Sequence, residues 1–373
     1  MSDSDFFESF CIHTEVKLKL YGDYLQRYLM ILLRVGSIHS IHIYDLFCGK
    51  GETDEGQTGS ALIGVQHVLS SVTELATNKN IYLHLSDNNQ QYCNELENRI
   101  GQMQKPENVI IDVKCVDFKD AAQEAIAKHK SSHSTRYERV LYFIDPYGYK
   151  DTDPQTLLEI KQNCNSEIFL FLPVIFIYRF ISGEKANRSI GLWRSFIDYH
   201  GDSSDLRSIV WGITKRFSAE GFHAGYFILT NQICGNEYAI FFVSSNLRGL
   251  EKFNEVKWDN DRVSGSQMGR DYTFSMASCI EDDLHMIVIE ELKRNILCHI
   301  ASIKDRRINN GQLYSFIVHE GFLPKHFTEI WNIDKFLKRA FTTRRNRGNY
   351  ISYEHFNEEP LVWFSLKESD VDI

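Results

Sequence analysis

An α/β architecture is what this sequence predicts: a mostly parallel sheet with crossover helices, ending in an antiparallel hairpin, followed by a smaller unit of helices and short strands. Three features of the chain lead there. Over the first two thirds, short strand-like runs alternate with polar, helix-compatible stretches, the pattern of parallel strands joined by crossovers. Near residue 235, two apolar runs are separated only by a turn segment, as in a hairpin. The 373 residues also exceed the ~250–300 at which a single core stops growing.

Taken in order, residues 14–34 place Leu20, Tyr24, Tyr28, Ile31 and Leu32 at helical spacing, an amphipathic helix ahead of the first strand. Strands follow at Ile41–Leu46, Ile81–Leu85, Val109–Val116, Val140–Ile144 and Ile168–Leu172, each short and rich in β-branched or aromatic residues. Helices are expected between them, including Gln90–Gln104 and Phe118–Lys130. Tyr226–Asn231 and Tyr238–Ser244 form the hairpin, joined through Gly235 and Asn236. A first domain over 1–260 and a linker over 261–281 precede a second domain over 282–373. There, helices are predicted at Leu284–Ala301, Gly311–His319 and Glu329–Phe341, and strands at Tyr350–Tyr353 and Pro360–Ser365. Three helices and a β-wing describe a winged-helix-like domain.

Bulk properties exclude several classes. A formal net charge of −9 gives no global attraction for a polyanion, so a nucleic-acid contact needs a local basic surface. The eight cysteines are scattered, with no C-x-x-C pair, which fits a reducing compartment better than a disulfide framework or a structural zinc finger. The acidic N-terminus lacks the layout of a signal peptide. The most apolar run, Ile168–Ile177, is too short to span a bilayer. The expectation is a cytoplasmic protein with no membrane partner.

The residues that carry chemistry cluster at predicted strand ends. I-Y-D-L-F-C-G-K-G at 43–51 closes the first strand. Gly49 and Gly51 permit the tight turn and close backbone approach that a ligand needs. Asp45 can accept hydrogen bonds from a cationic amino-acid moiety, and Phe47 lies in the same turn. L-S-D at 85–87 ends the second strand, where Asp87 can bind both ribose hydroxyls of an adenosine or serve as a helix cap. V-D-F at 116–118 ends the third. Asp117 there can accept an adenine amino group, and Phe118 offers an apolar face. Three acids at three consecutive strand ends converge on the crevice where such sheets bind ligands. Together with the hairpin, they indicate a Rossmann-like class I methyltransferase sheet with S-adenosylmethionine as cofactor.

F-I-D-P-Y-G at 143–148 ends the fourth strand. Amino-group methyltransferases place an acid or amide, a proline and an aromatic at this position. Asp145 and the Pro146 carbonyl would accept hydrogen bonds from the target amine, while Tyr147 stacks on its base. A turn is the competing reading, because D-P-x-G is also good turn chemistry. A cytosine-C5 methyltransferase is rejected, since it needs a thiolate after the fourth strand. Here Tyr147 follows the proline, and Cys48 lies in the cofactor turn. The acidic loop Glu52–Ser60 can lie over the cofactor or be solvated, and Ser60 is expected to cap the helix through Ala61–Leu69.

With these residues assembled, the chain resembles the three-Cys-motif partner family. The likeness rests on H-T-E-V-K at 13–17, D-L-F-C-G-K-G at 45–51, G-x-x-G-S-A-L-I at 56–63, I-D-P-Y-G, the L-P-V run with Arg179, and R-G-L-E-K-F followed by V-K-W ending at Trp258. It spans residues 11–260. The resemblance implies a methyltransferase-like fold and a radical-SAM-like partner protein, to which the three cysteines belong. Val174 stands where family members tend to carry Asn, so no substrate contact is carried over at that position.

Two functions follow. The first is S-adenosylmethionine-dependent methylation of an amino group on nucleic acid. A basic cluster of Lys335, Lys338, Arg339, Arg344, Arg345 and Arg347 would supply the contact, placed where a recognition helix and wing would lie. The second is a catalytically idle cofactor-binding scaffold acting through the three-Cys-motif partner, since D-P-Y-G lacks one proline of the fuller D-P-P-Y pattern.

Overall fold

The computed structural model describes residues 3–53, 56–131, 136–183, 188–199, 206–230, 237–260, 267–268, 278–342 and 351–367. They form two compact units, the first ending at Ser245 and the second beginning at Asn246.

In the first unit, helix α1 (Asp3–Leu32) precedes strand β1 (Ser40–Asp45). Then come α2 (Ser60–Leu75), β2 (Asn80–Asp87), α3 (Gln90–Gly101), β3 (Val109–Cys115), α4 (Phe118–His129), β4 (Glu138–Ile144), α5 (Pro154–Asn163) and β5 (Ser166–Leu172). Three helices follow, α6 (Val174–Ile181), α7 (Arg188–Phe196) and α8 (Leu206–Ala219), and the unit closes with β6 (His223–Thr230) and β7 (Glu237–Ser244). The strand order is β3-β2-β1-β4-β5-β7-β6, with a two-residue strand, β8 (Gln267–Met268), beyond β6. Strands β1 to β5 pair in parallel, whereas β7 runs antiparallel to β5 and β6. This is the mostly parallel, Rossmann-like sheet ending in an antiparallel hairpin that the sequence predicts.

The central strands are apolar runs because both of their faces are covered. In β4 and β5 the last five residues are buried without a break. Helix α1 covers part of the sheet through its tyrosines: the Tyr21 ring lies 4.1 Å from Phe143, and Tyr24 lies 4.7 Å from Phe242. Tyr24 also donates to the half-buried Glu167, which accepts from Ser244 as well. On another part of the sheet, polar residues replace the apolar pattern. His42 and Tyr44 of β1 sit beside Tyr82 and His84 of β2, with the His42, Tyr82 and His84 rings nearly parallel. Burial lowers the His42 imidazole to about 2 and also lowers His129.

The second unit comprises α9 (Leu247–Asn260), α10 (Ser278–Ser302), β9 (Arg307–Asn309), α11 (Asn310–His319), α12 (Pro324–Ile333), β10 (Leu337–Phe341) and β11 (Val362–Leu366). Its sheet is antiparallel, in the order β10-β11-β9. Asn309 and Gln312 form a reciprocal capping box at the start of α11, satisfying two helix-end donors.

Several boundaries differ from the sequence reading. Helix α9 belongs with the second unit rather than with a domain over 1–260, because its buried face bonds there. Asn254 donates to the Val318 carbonyl, Trp258 to the Gly321 carbonyl, and Glu251 accepts from Tyr314. Most of the expected linker over 261–281 lies outside the described residues. The third helix of the second unit ends at Ile333, and residues 337–341 are a strand. The apolar and aromatic residues of that segment pair with β11 instead of continuing the helix. Residues 353–355 form a short 3-10 turn, not a strand.

Candidate active-site crevice

Strand order reverses where β1 lies between β2 and β4. In open α/β sheets the crevice at such a switch point, outside the carboxyl ends of the strands, is where ligands bind. Asp45, Asp87 and Asp145 all stand at that end, with the glycine turn between them.

The turn after β1 is tied to β2 by two bonds. Cys48 donates its backbone N–H to the Ser86 carbonyl at 2.9 Å, and Gly49 donates to an Asp87 carboxylate oxygen at 3.1 Å. Gly49 and Gly51 both have positive φ, +57° and +84°, a region L side chains rarely adopt. Their requirements differ. A Cβ at Gly51 would meet Leu96 Cδ1 at 2.7 Å, so this glycine is needed for packing. A Cβ at Gly49 would meet nothing within 4 Å, which leaves open space over the turn for a ligand. Cys48 is buried, and burial pushes its thiol well above the ordinary range, which makes it a poor nucleophile.

Asp45 is buried beneath the turn, accepting from Ser60 Oγ at 2.6 Å and from the Phe47 backbone at 3.3 Å. Burial raises its carboxyl to about 7; these two bonds pull it down, and the charges of Asp145 and Asp87 add to the rise. Ser60 therefore does not cap α2, whose N-cap is Gly59 with no side-chain bond. Its hydroxyl anchors Asp45 instead.

Asp87 is also buried, and its second oxygen accepts from the Asn89 backbone at 2.9 Å. The N-cap of α3 is Asn89, so the capping reading of Asp87 gives way to a role in holding the glycine turn. Tyr147, 68% exposed, donates its hydroxyl to Asp87 at 3.3 Å. Partial burial and the Asp87 charge push that phenol upward. Asp117 is exposed and caps α4, accepting from the Asp120 backbone. Phe118 is buried and stacks on Phe47 with ring centroids 5.6 Å apart. Phe47 in turn meets Tyr147 edge-on at 6.4 Å. One aromatic wall thus runs from the β3 end to the β4 end.

Asp145 forms an ion pair with Lys17 of α1, whose ammonium also lies 4.7 Å from the Phe171 ring centroid. The two side chains are 20% and 11% exposed. Pro146 is buried. Sequence reasoning assigned Lys17 no role, although a clue was present. Lys17 falls on the same helical stripe as Leu20, Tyr21, Tyr24 and Tyr28, all buried. A lysine on a buried stripe needs an acidic partner.

In the second unit, Lys335, Lys338 and Arg339 are exposed. Lys338 and Arg339 lie on β10 rather than on a recognition helix. The Arg339 guanidinium sits 5.4 Å from the Trp331 ring and 4.6 Å from Phe341, and Arg307 lies 4.7 Å from Trp363. Arg344, Arg345 and Arg347 lie outside the described residues. No helix among the described residues is long and apolar enough to cross a membrane.

No family model matches the chain, and no curated protein matches it. Solved structures similar to it include the O-methyltransferase from Bacillus cereus in complex with SAH, at 13% identity and a TM-score of 0.32, covering 65% of this chain and 92% of that one. Another is the type I restriction-modification system methyltransferase subunit from Streptococcus thermophilus, at 12% identity and a TM-score of 0.30, covering 60% and 43%. A third is the cyclopropane synthase MmaA2 from Mycobacterium tuberculosis, at 9% identity and a TM-score of 0.27, covering 73% and 78%.

Proposed function

We propose that the chain binds S-adenosylmethionine over the Gly49 turn and transfers its methyl group to an amino group on nucleic acid. The observation that carries this reading is the convergence of Asp45, Asp87 and Asp145 on an open glycine turn at the switch point of the sheet. The residues fit the cofactor. Asp87 faces the turn with an acceptor oxygen that a ribose hydroxyl would take over from Tyr147. Phe47 and Phe118 supply an apolar wall for the adenine. When bound, the cofactor supplies an electrophilic methyl.

The chain's own task is then positioning. Asp145 and the Pro146 carbonyl would hold the acceptor amine in line and leave its lone pair directed at the methyl. Such orientation is worth up to ~7–11 kcal/mol. The exposed Tyr147 ring offers a stacking face for the base. The helices and antiparallel sheet of the second unit follow the order of a winged-helix-like fold. Basic residues lie beside aromatic rings on both faces of its sheet, Arg339 with Trp331 and Phe341 on one and Lys338 and Arg307 with Trp363 on the other, a composition that suits a phosphate backbone with neighbouring bases.

A second reading is a cofactor-binding scaffold for the radical-SAM-like three-Cys-motif partner. The Lys17–Asp145 ion pair favours it, because the carboxylate that would hold the amine is already engaged. Transfer of labelled methyl from S-adenosylmethionine to RNA or DNA tests the first reading. Cofactor binding by calorimetry without transfer to any nucleic acid, and with Asp145→Ala fully active in cells, leaves the second.

A further inference from the structure

We propose that His42, His129 and Glu138 form a zinc site at the amino ends of β1 and β4, at the opposite end of these strands from the glycine turn. The backbone assembles the site. In the parallel β1–β4 pair Ser40 stands opposite Glu138, and His42 lies two residues along β1, on the same face. The last turn of α4 brings His129 over them. Nδ1 of His129 lies 2.9 Å from Glu138 Oε2, and Nε2 of His42 lies 4.0 Å from the same oxygen. All three ligand atoms fall within 4.8 Å of one another. Ligand atoms around a tetrahedral zinc are ~3.3 Å apart, so small side-chain rotations, chiefly of Glu138, bring them into range.

The surrounding bonds orient these atoms as ligands. His84 Nδ1 lies 2.6 Å from the Asp112 carboxylate, which can only accept when ionised, so this nitrogen carries the proton. Its Nε2 lies 3.1 Å from His42 Nδ1, and a proton on that His42 nitrogen joins the two rings and leaves His42 Nε2 as an acceptor. Nε2 of His42 then accepts from Ser40 Oγ at 3.4 Å and lies 4.0 Å from Glu138 Oε2. A cation here would take the His42 lone pair in place of the long Ser40 contact, and the carboxylate in place of its bond from His129. Tyr44 Oη lies 2.8 Å from His129 Nε2 and accepts from that nitrogen once Nδ1 ligates. Each imidazole thus has its second nitrogen held by an outer partner, as metal-ligating histidines do.

The donor set selects the ion. Two imidazoles and one carboxylate suit zinc and its neighbours in the transition series, and disfavour magnesium and calcium, which prefer all-oxygen shells. Both histidines are almost fully buried and Glu138 is partly exposed, so water has access to the fourth position. The site ties α4 to the amino ends of β1 and β4, a structural task separate from the crevice.

The experiment titrates chelator-stripped full-length protein with zinc against a chromophoric chelator, and repeats it with cobalt to read the visible spectrum. One ion should bind per chain with submicromolar affinity, and cobalt should show intense tetrahedral bands. Glu138→Gln and His129→Asn should lose stoichiometric binding, with folding verified by circular dichroism. Asp112→Asn, one step outside the ligands, should weaken it about 10–100-fold. If the wild-type chain takes up no stoichiometric zinc, or if folded Glu138→Gln binds as tightly as wild type, the proposal is overturned. The readout involves neither cofactor nor methyl transfer, so its outcome is separate from that of the methyltransferase reading.

Discussion

The ion pair between Lys17 and Asp145 decides what the β4 end can do, and a double-mutant cycle measures it. Lys17→Met keeps the stem that lies against Phe171 and removes the charge; Asp145→Asn keeps the shape of the carboxylate and removes its charge. Exposed pairs contribute about 0–1 kcal/mol, whereas breaking one partner of a buried pair costs about 3–5 kcal/mol. Side chains 11% and 20% exposed lie nearer the buried limit, so each single change should cost ~2–3 kcal/mol. For a unit of this size that lowers Tm by roughly 5–10 °C. The double variant should recover part of the loss, since it leaves no orphaned charge, with a coupling of ~1–2 kcal/mol. Urea denaturation of the four chains supplies the cycle. A coupling below ~0.5 kcal/mol would show that the two charges act independently and would refute the pairing as an energetic unit. If the pair does hold Asp145 away from substrate, Lys17→Met should also lower KM for an acceptor amine.

Three further outcomes are expected. Asp45→Asn should stabilise the chain at pH 8 and leave it unchanged near pH 4: the folded carboxyl is raised to about 7, so native Asp45 binds a proton that the unfolded chain has released, and wild-type stability falls as pH rises between ~4 and ~7. The upper bound is on the order of 4 kcal/mol, and equal denaturation midpoints at pH 8 would contradict it. Asp87→Ala should weaken S-adenosylmethionine binding roughly 10–150-fold, the equivalent of a charged hydrogen bond of about 1.5–3 kcal/mol, and calorimetry showing unchanged affinity would remove Asp87 from the cofactor site. Converting Arg344, Arg345 and Arg347 to Ala should reduce the salt slope of duplex binding by about 0.9 per lost phosphate contact, and an unaltered slope would make the cluster ordinary surface.

Much of the sheet was legible because burial on both faces writes itself as apolar runs. Ile168–Leu172 and Val140–Ile144 could hardly be anything but central strands, and both are. Strand ends were legible for a related reason: an acid directly after such a run, as at Asp45 or Asp145, has left the core and faces the crevice. Partnership was harder to read. Lys17 and Asp145 are 128 residues apart, and only the fold decides that α1 crosses the end of β4. Local hydrogen bonding also reassigned neighbours. Ser60, expected as a cap, went to Asp45, and Asp117, expected at an adenine, took the cap of α4.

The second unit was misread where periodicity is weakest. Phe336, Leu337 and Phe341 suit a helix or a strand equally, and pairing of 337–341 with β11 settled the matter. The histidine band shows the converse case, in which a pattern was present but not weighed. I-H-I-Y-D in β1 and I-Y-L-H-L in β2 alternate with period two, so His42, Tyr44, Tyr82 and His84 share one face. Polar aromatic residues along one covered face of two adjacent central strands cannot be explained by the hydrophobic effect, which would fill them with Val, Ile or Leu at no desolvation cost. Their retention under α4 requires compensating bonds, and the chain from Asp112 through His84 to His42 supplies some of them. Beyond that chain, His42 Nε2 has only the long Ser40 contact and stands 4.0 Å from the Glu138 carboxylate that His129 also meets. A bound cation would take both as ligands, in place of the present hydrogen bond between His129 and Glu138, and zinc titration therefore tests why these strands are polar at all.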